Sequence, residues 1–120
     1  MIDGLDHADR ELFASHVTVP ADSPYVVGGV LCPEMLLEVM AQCFAAGMGH
    51  LAALEGREAS GAGYLAAVSE FRTGPAARAG DRLEAECRVE AVVGRVWVAA
   101  ARVTRDGAPM AEGRFKIYIP

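Results

Sequence analysis

A chain of 120 residues, 52% hydrophobic and 22% charged, suits one domain and is too apolar for a disordered tail. Folding at this length buries roughly two-thirds of the extended chain's surface, so a core needs neither disulfide nor metal to hold it. A formal net charge of −5 argues against a general nucleic-acid binder, which requires a broad basic surface.

The opening stretch MIDGLDHADRE is acidic where a secretory leader is basic and then apolar. LFASHVTV, Leu12 to Val19, reads as a strand. PADSPYVVGG follows with two prolines and the Gly28-Gly29 pair, which mark a loop. Pro33 and Glu34 then open a helix, since a proline loses nothing at a first helical position and an acid suits the first turn. The run EMLLEVMAQCFAAGMGHLAAL is apolar on nearly every face, which predicts a buried helix. Its polar exceptions, Glu34, Glu38 and Gln42, recur at every fourth residue and form one stripe. Those interruptions, with His50, set it apart from the ~20 uninterrupted apolar residues of a membrane span.

LEGREASGAG loops out, and the remainder is strand-like. Gly63 to Arg72 is one strand and TGPAARAGD a turn-rich connection. From Arg82 to Val92 the pattern alternates, with Leu83, Ala85, Cys87, Val89 and Ala91 facing one way and Arg82, Glu84, Glu86, Arg88 and Glu90 the other. Val96 to Thr104 follows the Gly94 turn, Asp106-Gly107 signals a hairpin, and Ala111 to Ile119 ends the chain. Cys32, Cys43 and Cys87 are odd in number and form no C-x-x-C pair, so neither a disulfide framework nor a zinc site is indicated. The expectation is a cytoplasmic protein with no metal and no membrane or nucleic-acid partner, folded as a single domain over residues 1–120. Its fold class is α+β: about five antiparallel strands curled around one long central helix, and a helix apolar all round further implies a dimer.

The stretch SPYVVGGVLCPEMLLEVMAQ resembles the signature of the hotdog-fold β-hydroxyacyl-acyl-carrier-protein dehydratases: G-H-F-P, then P-G-V, then E-A-M-A-Q. EFRTGPAARAGDRLEAECRV is similar to the same family's R-F-x-x-P-V-x-P-G-D-x-L strand pair. Counting back without gaps from Glu38, the family's aromatic falls on Tyr25 and its catalytic histidine on Pro24, and no histidine occurs between Val17 and Glu38. The family's P-G before the helix is here Cys32-Pro33. The P-Y-x-x-G-G-x-L-x-P spacing looks more like the histidine-lacking subunit of the split dehydratases of aryl-polyene and type II polyketide pathways.

The resemblance implies dehydration of β-hydroxyacyl thioesters to trans-2-enoyl thioesters. The substrate would be carried on the phosphopantetheine of acyl carrier protein, with no further cofactor. Glu38 would be the catalytic acid, in a site completed by a histidine from a second hotdog subunit. Tyr25, Gly28, Gly29 and Gln42 are candidate substrate-binding residues. Arg72, Arg78 and Arg82, with Arg57, are candidates for docking the acidic carrier protein.

Each has a plainer reading. Glu38 could make a structural hydrogen bond to a strand, and Gln42 could brace loop backbone near Gly28-Gly29. Those glycines could serve only the turn, and the arginines could be solvated loop charges. Cys32 is expected to pack rather than react, for want of a base nearby. His50, twelve residues beyond Glu38, lies roughly 18 Å along the helix and cannot replace the missing base. His16 is the one in-chain histidine placed to do so, and His7 sits in an acidic, exposed stretch. Two rival functions remain: a non-catalytic scaffold subunit of the same complex, and a homodimeric hotdog acyl thioesterase in which Glu38 activates water.

Overall fold

In the computed structural model, which describes residues 2–56 and 64–120, the alternating segments become one six-stranded antiparallel sheet and the apolar run becomes one helix. The strands are β1 (Gly4–Ala8), β2 (Leu12–Thr18), β5 (Tyr64–Thr73), β6 (Arg82–Val93), β7 (Val96–Arg105) and β8 (Ala108–Tyr118), in the order β1-β2-β6-β7-β8-β5. A two-stranded ribbon, β3 (Val26–Val27) and β4 (Val30–Leu31), precedes the helix α1 (Glu34–Leu54). A curled antiparallel sheet packed on one helix is the hotdog arrangement.

Two-residue periodicity sorts the sheet into faces. Phe13, Ser15 and Val17 of β2, Leu83, Ala85 and Cys87 of β6, Ala99, Ala101 and Val103 of β7, and Phe115 and Ile117 of β8 are all buried. Leu36, Val39, Met40, Cys43, Phe44, Gly47, Leu51 and Ala52 of α1 meet them. Phe13, Phe44 and Trp97 form an edge-to-face chain, with ring centroids 5.4 Å and 6.2 Å apart. Gly47 makes this possible, because a Cβ there would overlap the Phe13 ring. At Gly47 the helix thus approaches the sheet closely because it lacks a side chain there.

Three expectations need correction. The stretch before Leu12 holds a strand, β1, paired with β2 at the sheet edge and secured by a 2.8 Å bond from the Asp3 N–H to the His16 carbonyl. Its Asp6 and His7 are exposed, so no apolar alternation announced it. On β6, the pairing slips between Val89 and Ala91, and Ala91, Val92 and Val93 turn out exposed; the inward alternation stops at the bulge.

The third correction concerns α1, which by length and composition could cross a membrane yet lies along the sheet with eight residues buried. Only one side is covered: Glu34, Glu38, Ala45, His50, Ala53 and Leu54 are exposed, and Leu37, Ala41 and Met48 are half-buried. One chain's sheet curls too little to enclose a helix about 10 Å across with its side chains. An apolar strip of α1 is therefore left open beside the Glu34–Glu38–Gln42 stripe.

Candidate functional site

The site grows from the junction between the β3–β4 ribbon and α1. Gly28 and Gly29, with φ of +60° and +77°, form the two-residue turn that reverses the chain between Val27 and Val30. Their positive φ accounts for both glycines, and the space around each is open, with no atom within 4 Å of an added Cβ. The ribbon's base closes with a 2.8 Å bond from the Cys32 N–H to the Tyr25 carbonyl, leaving the Tyr25 side chain 51% exposed at the start of the helix. The connection before β6 holds the ribbon in place: Leu31 N–H donates to Ala77, and Ala79 N–H to Gly29.

That connection ends at Asp81, whose carboxylate accepts from the Arg78 N–H at 2.8 Å and from the Arg105 guanidinium at 2.7 Å. Together these hold the Asp81 carboxyl below its ordinary range. The Gly80-Asp81 turn, the second landmark of the sequence resemblance, thus supports the ribbon that carries Tyr25 and the two glycines.

Along the helix, the Gln42 amide donates to Glu38 Oε1 at 3.1 Å, an i, i+4 pair, and Gln42 Oε1 accepts the Ile2 backbone N–H at 2.9 Å. This corrects the brace expected for Gln42: its partner is the N-terminal backbone, not the Gly28-Gly29 loop. Sequence reasoning missed Ile2, and a main-chain N–H has no residue signature by which to find it. Glu38 is exposed in this single chain, whereas an apolar helix implied burial. Cys32 is exposed too, where packing was expected. Its thiol donates to Glu34 at 2.6 Å; the carboxylate pushes the thiol pKa up and is itself held low by the same contact. A thiol kept protonated is a poor nucleophile.

None of the chain's three histidines adjoins Glu38 through a described contact. His16 lies on the outer face of the sheet, 2.8 Å from Asp6, so the in-chain rescue fails on geometry. His7 pairs with Asp9 at 2.8 Å, and His50 is exposed far along the helix. The arginines do not form one patch. Arg78 and Arg82 flank the Gly80-Asp81 turn, whereas Arg72 lies on β5 with β8 and β7 between it and β6, roughly 14 Å across the sheet. There it lines an outer-face hollow of about 420 Å³ with Glu112, Arg102 and Glu86, alternating in sign across four strands. Arg57 lies outside the described residues.

The ApeP-like family model, described as ApeP dehydratase, matches residues 1–120. A search of curated proteins finds no match. Among solved structures, the dehydratase heterocomplex ApeI:P from Xenorhabdus doucetiae superposes with a TM-score of 0.90 at 20% identity, covering 99% of this chain and 82% of that one. Zebra fish thioesterase superfamily member 2 superposes with 0.75 at 15% identity, covering 97% and 80%. The smu.793 protein of Streptococcus mutans UA159, bound to acetyl CoA, does so with 0.78 at 12%, covering 100% and 89%. These likenesses establish the hotdog fold.

Proposed function

The chain belongs to the ApeP-like dehydratase family, and from that premise we propose that it is the histidine-lacking subunit of a two-chain hotdog dehydratase, giving Glu38 to a site shared with its partner. The observation that carries this reading is the position of Glu38. It lies on the side of α1 that the chain's own sheet leaves uncovered, next to the half-buried apolar strip of Leu37, Ala41 and Met48 and with no described contact to an imidazole of its own chain. An acid alone in that position is half a catalytic pair. A second hotdog subunit would cover the strip, exclude water from the carboxylate and supply the base. The heterocomplex named for the similar solved structure supports this.

The substrate we infer is a β-hydroxyacyl thioester on the pantetheine arm of acyl carrier protein. The partner's imidazole takes the α-proton, and the C–H electron pair forms the new double bond. The β-C–O bond breaks as Glu38 passes a proton to the departing hydroxyl, and water leaves. Proton return from imidazolium to carboxylate restores both groups, so no oxidant or cofactor is consumed. Tyr25, whose carbonyl accepts the Cys32 N–H just before α1, and the Gly28-Gly29 turn of the same ribbon are our candidates to receive thioester and pantetheine at the positive end of the helix. Arg78 and Arg82, beside that entrance, suit an acidic carrier protein in the cytoplasm; Arg72 is too far across the sheet to join them.

The test is reconstitution. The purified chain, a histidine-bearing hotdog subunit and their mixture are each assayed for enoyl thioester from a 3-hydroxyacyl-carrier substrate. Product is expected from the mixture at least about 10²-fold faster than from this chain alone. Equal dehydration by this chain alone would overturn the shared site, and release of free acid would point to a thioesterase.

A further inference from the structure

We propose that the N-terminal segment is a positioning device for Glu38: the Ile2 backbone N–H fixes the Gln42 amide, and Gln42 fixes the carboxylate. This deepens the shared-site reading and rests on it for its catalytic consequence. The geometry is a two-bond relay spanning 40 residues, Ile2 N–H to Gln42 Oε1 at 2.9 Å and Gln42 Nε2–H to Glu38 Oε1 at 3.1 Å. The amide has one orientation compatible with both neighbours. Reversing it would set NH2 against N–H and carbonyl against carboxylate, losing two bonds and creating two repulsions. With Oε1 of Glu38 accepting from Gln42, Oε2 is the oxygen left for the chemistry.

Ile2 is itself held. Its side chain packs half-buried against the core, the neighbouring Asp3 N–H donates to His16, and the Asp3 carboxylate accepts the Thr18 N–H at 2.7 Å. The segment that leads into the edge strand β1 thus sets the rotamer of a helix side chain through its backbone N–H. Ile2 and Gln42 are positioning residues.

The experiment compares Ile2→Ala, which keeps the N–H, with Ile2→Pro, which removes it, in chains sharing a short N-terminal tag so that processing is the same. An amide-to-ester exchange at residue 2 removes the N–H alone and replaces Ile2→Pro if that variant does not fold. In the isolated chain, NMR of the Gln42 side-chain amide is expected to stay dispersed in Ile2→Ala and to collapse to free-amide shifts when the N–H is lost. In the assembled pair, losing the N–H is expected to lower kcat about tenfold with KM unchanged, while Ile2→Ala stays within about twofold of wild type. The proposal is overturned if Gln42 is unaffected by loss of the N–H, or if Ile2→Ala costs as much, which is the result a packing role gives. A wild-type pair without dehydratase activity would defeat the shared-site reading, and the Gln42 spectrum would still decide the positioning.

Discussion

In the assembled pair, Glu38→Gln is expected to lower kcat for dehydration by at least about 10²-fold, with little change in KM or in subunit association. The substitution is nearly isosteric, and the new amide oxygen can still accept the Gln42 N–H that Glu38 Oε1 accepts at 3.1 Å. What it removes is the capacity to give up a proton. The fold should survive, since Glu38 is exposed and outside the core in the single chain, and pairing should survive because the amide keeps the carboxylate's shape at the interface. A scaffold subunit would show the opposite result, an unchanged rate, so this one variant separates the two roles. Steady-state dehydration of a carrier-bound 3-hydroxyacyl substrate reads it directly.

Phe13→Ala is expected to cost about 3–5 kcal/mol of folding stability, measured by urea unfolding of the isolated chain. Phe13 is fully buried, stacks edge-to-face on Phe44, and rests on the bare backbone of Gly47. Its removal leaves a void bordered on the helix side by a residue with no side chain to fill it. Because a domain is stable by only about 5–15 kcal/mol, such a loss brings the chain near unfolding. A cost below about 1 kcal/mol would mean that α1 is not held to the sheet at this contact.

The strands β6, β7 and β8 were legible in the sequence because each buries one face and so alternates with a period of two, and the helix because a long apolar run opens on Pro33 and Glu34. The strand β1 was not, because at the sheet edge with Asp6 and His7 exposed it owes its conformation to hydrogen bonds with β2 rather than to apolar alternation. The ribbon β3–β4 is two residues a side, too short for any period to show. Apolarity on all sides of α1 implied burial on all sides, yet a sequence does not record whether its own sheet or another chain provides the cover. The Glu38–Gln42 stripe was legible from its fourfold spacing. The relay to Ile2 was not, since a main-chain donor looks alike in every residue. The arginines misled for a related reason: Arg72 and Arg82 are close in the chain but stand on strands separated by two others.

The exposure of Glu38 before and after assembly bears most directly on the shared site, and a crystal structure of this chain bound to a histidine-bearing hotdog subunit would measure it. The carboxylate, open to solvent in the single chain, should become buried at the interface, with an imidazole of the partner subunit facing it across a pocket wide enough for a thioester. A Glu38 still facing bulk water in the assembled pair, or one met there by a histidine of its own chain, would contradict the account.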